Sequence, residues 1–146
     1  MKKPLSKLII ILVSLAVGVF LLIQLVPYGR DHTNPPVVQE PQWNTPETRA
    51  LVQRACFDCH SNETVWPWYS NIAPVSWLVY RDVVEGRSNM NFSEWDTSWL
   101  AYGEIAEIVQ EGEMPPGTYL IMHPNARLSA QEKQALLDGL QASLTK

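Results

Sequence analysis

Cysteine is nearly absent from this 146-residue chain: there are two, at positions 56 and 59. A fold stapled by several disulfides is therefore excluded. Histidine is almost as scarce, with three residues, and no second C-x-x-C accompanies the first. A structural zinc site, which takes four ligands, lacks a second half. Strand signals are few, no segment repeats, and the length leaves room for one domain at most. Positive charge is also short. From Arg30 onward, 8 Lys and Arg stand against 15 Asp and Glu. That balance argues against nucleic acid as a partner and permits steering toward a basic one.

One long stretch lacks charge altogether. Leu8 to Val26 is nineteen uncharged, mostly apolar residues. As a helix it spans about 28 Å, close to the thickness of a bilayer core. Lys2, Lys3 and Lys7 stand at its N-terminal end. A signal peptide has a shorter apolar core ending in small residues, whereas this run ends in Val26-Pro27-Tyr28-Gly29. The expectation is an uncleaved anchor over residues 1–28, with the lysines cytoplasmic and everything after Val26 outside. Gln24 lies near the outer end, within reach of the headgroups. Residues 29–44 are Pro-rich and polar without periodicity, and read as a linker that includes a solvated His32.

The remaining segment, 45–146, carries helix signals. Thr45-Pro46-Glu47 supplies an N-cap, a proline at the first helical position and an early acid. That helix is expected to run through Ala50, Leu51, Val52 and Ala55 to about His60. A second starts near Pro74, with Val75, Leu78, Val79 and Val83 at helical spacing and Gly86 at its end. A third runs from about Ser98 to Glu111 on Leu100, Ile105, Ile108 and Val109, closed by Gly112. A fourth opens on the capping box Ser129-Ala130-Gln131-Glu132 and continues through Ala135, Leu136, Leu137 and Leu140. The fold class is all-α: a small helical domain behind one transmembrane helix.

The two cysteines fall in Cys56-Phe57-Asp58-Cys59-His60. On a helix, positions i, i+3 and i+4 share a face. Two thiols there can add to the two vinyl groups of one haem while the imidazole reaches the iron. C-x-x-C-H is the attachment signature of haem c. A thioredoxin-like dithiol would sit by a βαβ pattern, and none is visible. A structural disulfide across so short a loop gains little closure entropy. The reading is one covalent haem on Cys56 and Cys59, with His60 as proximal iron ligand.

Cytochromes c add methionine on the far side of the iron. Met114 stands in Gly112-Glu113-Met114-Pro115-Pro116-Gly117, where the prolines stiffen the backbone. It is the expected distal ligand, with Met122 and His123 as alternatives and Met90 as the weakest. Core filling is the ordinary role of a methionine and stays open. Trp66, Trp68 and Tyr69 follow the motif and can pack on the ring edge; Arg81 and Arg87 can pair with its propionates or equally well sit on solvated helix faces. Ordinary core packing remains open for Trp77, Trp95 and Trp99.

The chain resembles the haem-binding domain family of bacterial membrane-anchored proteins, relatives of c-type cytochromes. The resemblance rests on Pro27-Tyr28-Gly29-Arg30, on the stretch from Cys56 to Trp77, on Asn91 to Trp95, and on Gly112 to Pro116 with His123 to Ser129. It implies haem attachment at Cys56, Cys59 and His60, and names neither a redox partner nor a reaction. The expected function is a single-electron carrier on the periplasmic side of the inner membrane, passing electrons to a redox protein. The alternative is a gas or peroxide sensor or enzyme with an open sixth iron site. No catalytic constellation beyond the haem is expected.

Overall fold

The computed structural model describes residues 3–96 and 102–145. Among the described residues regular structure is helical, apart from one isolated parallel bridge between Gln39 and Glu94. The all-α expectation holds. The expected start of the third helix, with Leu100, and the core reading of Trp99 lie outside the described residues. The chain divides into two compact units: Met1–His32 with Trp66–Arg81, and Thr33–Val65 with Asp82–Lys146.

In the first unit, α1 runs Lys3–Ile23. Its segment Leu5–Ile23 has a mean hydropathy of 2.7 and buries nothing inside the protein, so it is long and apolar enough to cross a membrane. Just past its end, Gln24 does not simply reach outward. Its Nε2 donates to the Ala73 carbonyl at 2.9 Å, and the Ala73 N–H donates to its Oε1 at 3.0 Å. His32 is not a free linker residue either: its ring stacks on Trp66 at 4.4 Å.

The second unit holds α2 (Pro46–Ala55), α3 (Phe57–His60), α5 (Tyr102–Glu111), α6 (Gly117–Met122) and α7 (Ala130–Leu144), with the last turns of α4 (Val75–Asn89). Local chemistry sets most ends. Thr45 Oγ1 accepts from Thr48 N, and Ser129 and Glu132 close a full capping box. After α5, Gly112 takes φ +78°, while Gly112 N and Glu113 N donate back to Val109 and Ile108. This is the paired-bond C-terminus that favours glycine. α7 packs against α2 and α5. A Cβ on Gly139 would collide with Thr48, so glycine sets how closely α7 approaches α2. Val52, Phe57, Phe92, Ile105, Val109, Leu136 and Leu140 form the core.

Three expectations need correction. The first helix is not continuous to His60: it stops at Ala55, Cys56 adopts φ −126°, and a separate turn, α3, follows. Gly86 does not end α4, which continues to Asn89. Residues 33–39 are not a free tether. Val38 N and Gln39 N both donate to the Ser93 carbonyl, and Gln39 O accepts from Trp95 N at 2.8 Å. A Pro-rich segment has no periodicity to reveal such pairing, yet its remaining amides and carbonyls still need partners.

Candidate functional site

The motif turn is built by the break at Cys56. The Cys56 carbonyl accepts from both Cys59 N and His60 N, so α3 coils one turn directly off it. That keeps Cys56, Cys59 and His60 at helical offsets even though the longer helix is interrupted.

The turn is then pinned from outside. Phe92 N donates to the His60 carbonyl at 2.8 Å, and Asn62 N donates to Ser93 Oγ. Asn91 Nδ2 donates to Asn62 Oδ1, and Ser93 N donates to Asn91 Oδ1. Asn62, Asn91 and Ser93 are all buried, so this network is satisfied rather than solvated. On the other side, Gly86 lets α4 press against the motif: a Cβ there would strike the Cys59 carbonyl and lie 3.0 Å from the Cys59 Cβ.

His60 Nδ1 lies 3.1 Å from the Met90 carbonyl. A carbonyl only accepts, so Nδ1 carries the hydrogen, and Nε2 is left with its lone pair. Burial lowers the His60 pKa and keeps the ring neutral, against the raising effect of the Met90 and Gly86 backbone. Neutral imidazole with an oriented Nδ1–H is the form that binds metal.

Cys56, Cys59, His60 and Met114 line one cleft of about 250 Å³. Cys56 and Met114 also border an adjoining cleft of about 110 Å³, walled by Val109, Leu120, Leu128 and Leu136. The thiols are free, and desolvation pushes both up to about 12; the neighbouring thiol adds to this at Cys56, and Asp82 and Asp58 add to it at Cys59. Charge divides between the clefts. The larger carries Asp58, Asp82 and Glu85, and the smaller carries Arg127 and Lys133. Neither of those cations has a side-chain partner among the described residues.

This donor set fits a haem: two protonated thiols, a neutral imidazole with its tautomer fixed, a thioether, apolar walls, and cations suited to propionates. The distal alternatives stand apart from the larger cleft's walls. Met122 is 54 % exposed on α6. His123 stacks on Tyr119 at 4.2 Å, with Nδ1 3.9 Å from Asp58 Oδ2, which also accepts from Tyr119 Oη. Met90 is buried in the core and acts through its carbonyl.

Arg87 does not await a propionate. It donates to the carbonyls of Ser61 and Thr33, to Asn34 Oδ1 and to Thr64 Oγ1. Trp66, Trp68, Tyr69 and Arg81 belong to the first unit, where Trp68 meets Tyr69 edge-on. Sequence reasoning missed four contributors: Gly86, the Met90 carbonyl, Arg127 and Lys133. Only the last two carried a signal, as cations flanking the N-terminus of α7, Arg127 just before it and Lys133 just inside it.

Neither curated proteins nor solved structures give a match to the chain. The model of the haem-binding domain family does match, over residues 18–142. That span covers the exit of α1, the motif turn, the Met114 loop and most of α7, and the chain belongs to the haem-binding domain family.

Proposed function

We propose that the protein is a membrane-anchored c-type haem protein that carries single electrons. One observation carries this reading: both thiols, the oriented neutral imidazole and the Met114 thioether line the same cleft. Cys56 and Cys59 would hold one haem through two thioether bonds, one from each thiol. His60 Nε2 and Met114 Sδ would hold the iron, and Arg127 and Lys133 would hold the propionates. A haem held there would supply one-electron redox chemistry.

What the chain contributes is positioning. Met90 orients the imidazole, the Asn62–Asn91–Ser93 network fixes the turn, and the Gly112 to Pro116 loop holds the thioether. Residues 1–28 anchor the chain in the inner membrane, residues 29–44 lead from the anchor with Val38 and Gln39 paired to the 93–95 segment, and residues 45–146 bind haem on the periplasmic side. Trp66, Trp68 and Tyr69 are not needed to hold the haem in this scheme. The electron partner is a redox protein.

The test is a mass and a spectrum. Chain matured in a bacterial envelope gains the mass of one haem that acidified acetone does not extract. Its ferric form shows the far-red sulfur-to-iron band, and Met114→Ala abolishes it. A bare chain mass refutes covalent attachment. Rapid carbon monoxide binding to the native ferrous form refutes the Met114 ligand and favours a sensor with an open site.

A further inference from the structure

No Asp, Glu, Lys or Arg occurs between Glu63 and Arg81. In a chain this rich in acids, that gap is the second uncharged stretch after α1. Several of its apolar side chains are exposed. Trp68 is 71 % exposed, Leu78 58 %, Val75 40 % and Ile72 36 %. Helical spacing suggests that Val75 and Leu78 face a core, but they lie on the outer side of α4, opposite buried Ser76 and Val83. Exposed apolar side chains gathered in one uncharged stretch mark a contact with something apolar.

What it contacts is indicated by where it is tied. Gln24 follows the last residue of α1, and its side-chain amide makes both hydrogen bonds of Ala73, 49 positions away. Gly29, at φ +78°, lies against the Ser76 carbonyl, at a distance no side chain could share. Tyr28 meets Tyr80 edge-on at 5.4 Å. These contacts hold the Trp68–Leu78 stretch level with the end of α1. At that level a membrane-spanning helix leaves the hydrocarbon for the headgroups, the layer where Trp and Tyr concentrate.

We propose that Trp68, Ile72, Val75 and Leu78 form an interfacial surface that inserts into the bilayer beside the exit of α1. The segment that directly follows the haem motif thus serves as a second membrane contact, alongside the span. The proposal rests on reading α1 as a membrane span. The occupant is the glycerol and upper acyl layer of the lipid, because the face is uncharged and continuous with the span.

The test uses the full chain in nanodiscs of phosphatidylcholine and phosphatidylglycerol, with ordinary or brominated acyl chains. Bromine quenches tryptophan at short range, whereas a haem quenches equally in both lipids, so the ratio of the two intensities reads lipid contact alone. Trp68→Phe is expected to remove most of the bromine-dependent quenching, since Trp68 is the tryptophan placed on the inserting surface, whereas the Trp66 ring stacks on His32. The double variant Val75→Asp/Leu78→Asp, on exposed positions, is expected to reduce that quenching with circular dichroism unchanged. A carbonate wash of vesicles reads the span separately. If the chain stays with the vesicles and Trp68→Phe leaves the ratio unaltered, the surface is refuted and the span stands. If the wash releases the chain, the span fails and the surface with it.

Discussion

Replacing Gly86 by alanine tests the closest approach in the candidate site. The added Cβ would collide with the Cys59 carbonyl oxygen and lie 2.9 Å from its carbon and 3.0 Å from the Cys59 Cβ. Carbon atoms prefer about 3.5–4.0 Å, and the atoms struck are mainly backbone, so α4 and the motif turn must separate. Overpacking costs about 1–3 kcal/mol, and a backbone collision belongs at the upper end. Alanine recovers about 1 kcal/mol of helix propensity. The net loss is about 2 kcal/mol, or a fall in Tm on the order of 8 °C. The displacement also reaches the imidazole, because Met90 N donates to the Gly86 carbonyl and Met90 O accepts from His60 Nδ1. Guanidinium unfolding of the detergent-solubilised chain, followed by circular dichroism, measures the loss. Gly103→Ala is the control: it is also helical, with open space around its Cβ. That change should be neutral or stabilise by up to about 1 kcal/mol. If Gly86→Ala proves as stable as Gly103→Ala, the close packing of α4 on the motif is wrong.

Three further predictions concern the last helix and the basic cleft. Ser129→Ala removes the acceptor for Glu132 N and should cost about 1 kcal/mol in the same unfolding assay. The Glu132 carboxyl is held down at about 2, chiefly by the Ser129 backbone N–H and then by Arg54. Its contribution is therefore present above the ordinary carboxylate pKa and fades as pH falls from there toward 2. Glu132→Gln should flatten the pH dependence of stability in that window, and an unchanged slope would contradict the pairing. Removing the cleft cations with Arg127→Ala/Lys133→Ala takes away positive charge that favours the ferrous state. The midpoint potential of the haem-loaded chain should fall on the order of tens of millivolts, less at high salt. No shift in a spectroscopic redox titration would mean that these cations do not face the haem.

What the sequence made legible was local. The Thr45 cap, the Ser129 box and the Gly112 terminus each depend on a few neighbouring residues, and each appears where expected. The two cysteines and the histidine keep helical offsets, although through a broken helix, because a single turn suffices to set them. The losses came where a residue serves a distant one. Glycine as a helix terminator and glycine as a point of close approach look alike in a sequence, and Gly86 is the second kind. The six-residue α6 is too short for periodicity to register. The spacing of Val75 and Leu78 identified a face but not whether protein or lipid covers it.

The least legible part is the one that orients the candidate ligand. His60 is aimed by a main-chain carbonyl, and any residue at position 90 would supply one. The chain meets that need by the length of α4 and by the register of the following loop. Met90 N bonds back to Gly86, Phe92 N reaches the His60 carbonyl, and the Asn91 amide closes onto Asn62. A substitution at Met90 that preserves the core should therefore leave the imidazole in place. Inserting one residue between Asn89 and Asn91 should misdirect it. In this site the backbone register of the 86–93 segment matters more to the histidine than the side chain whose carbonyl it uses.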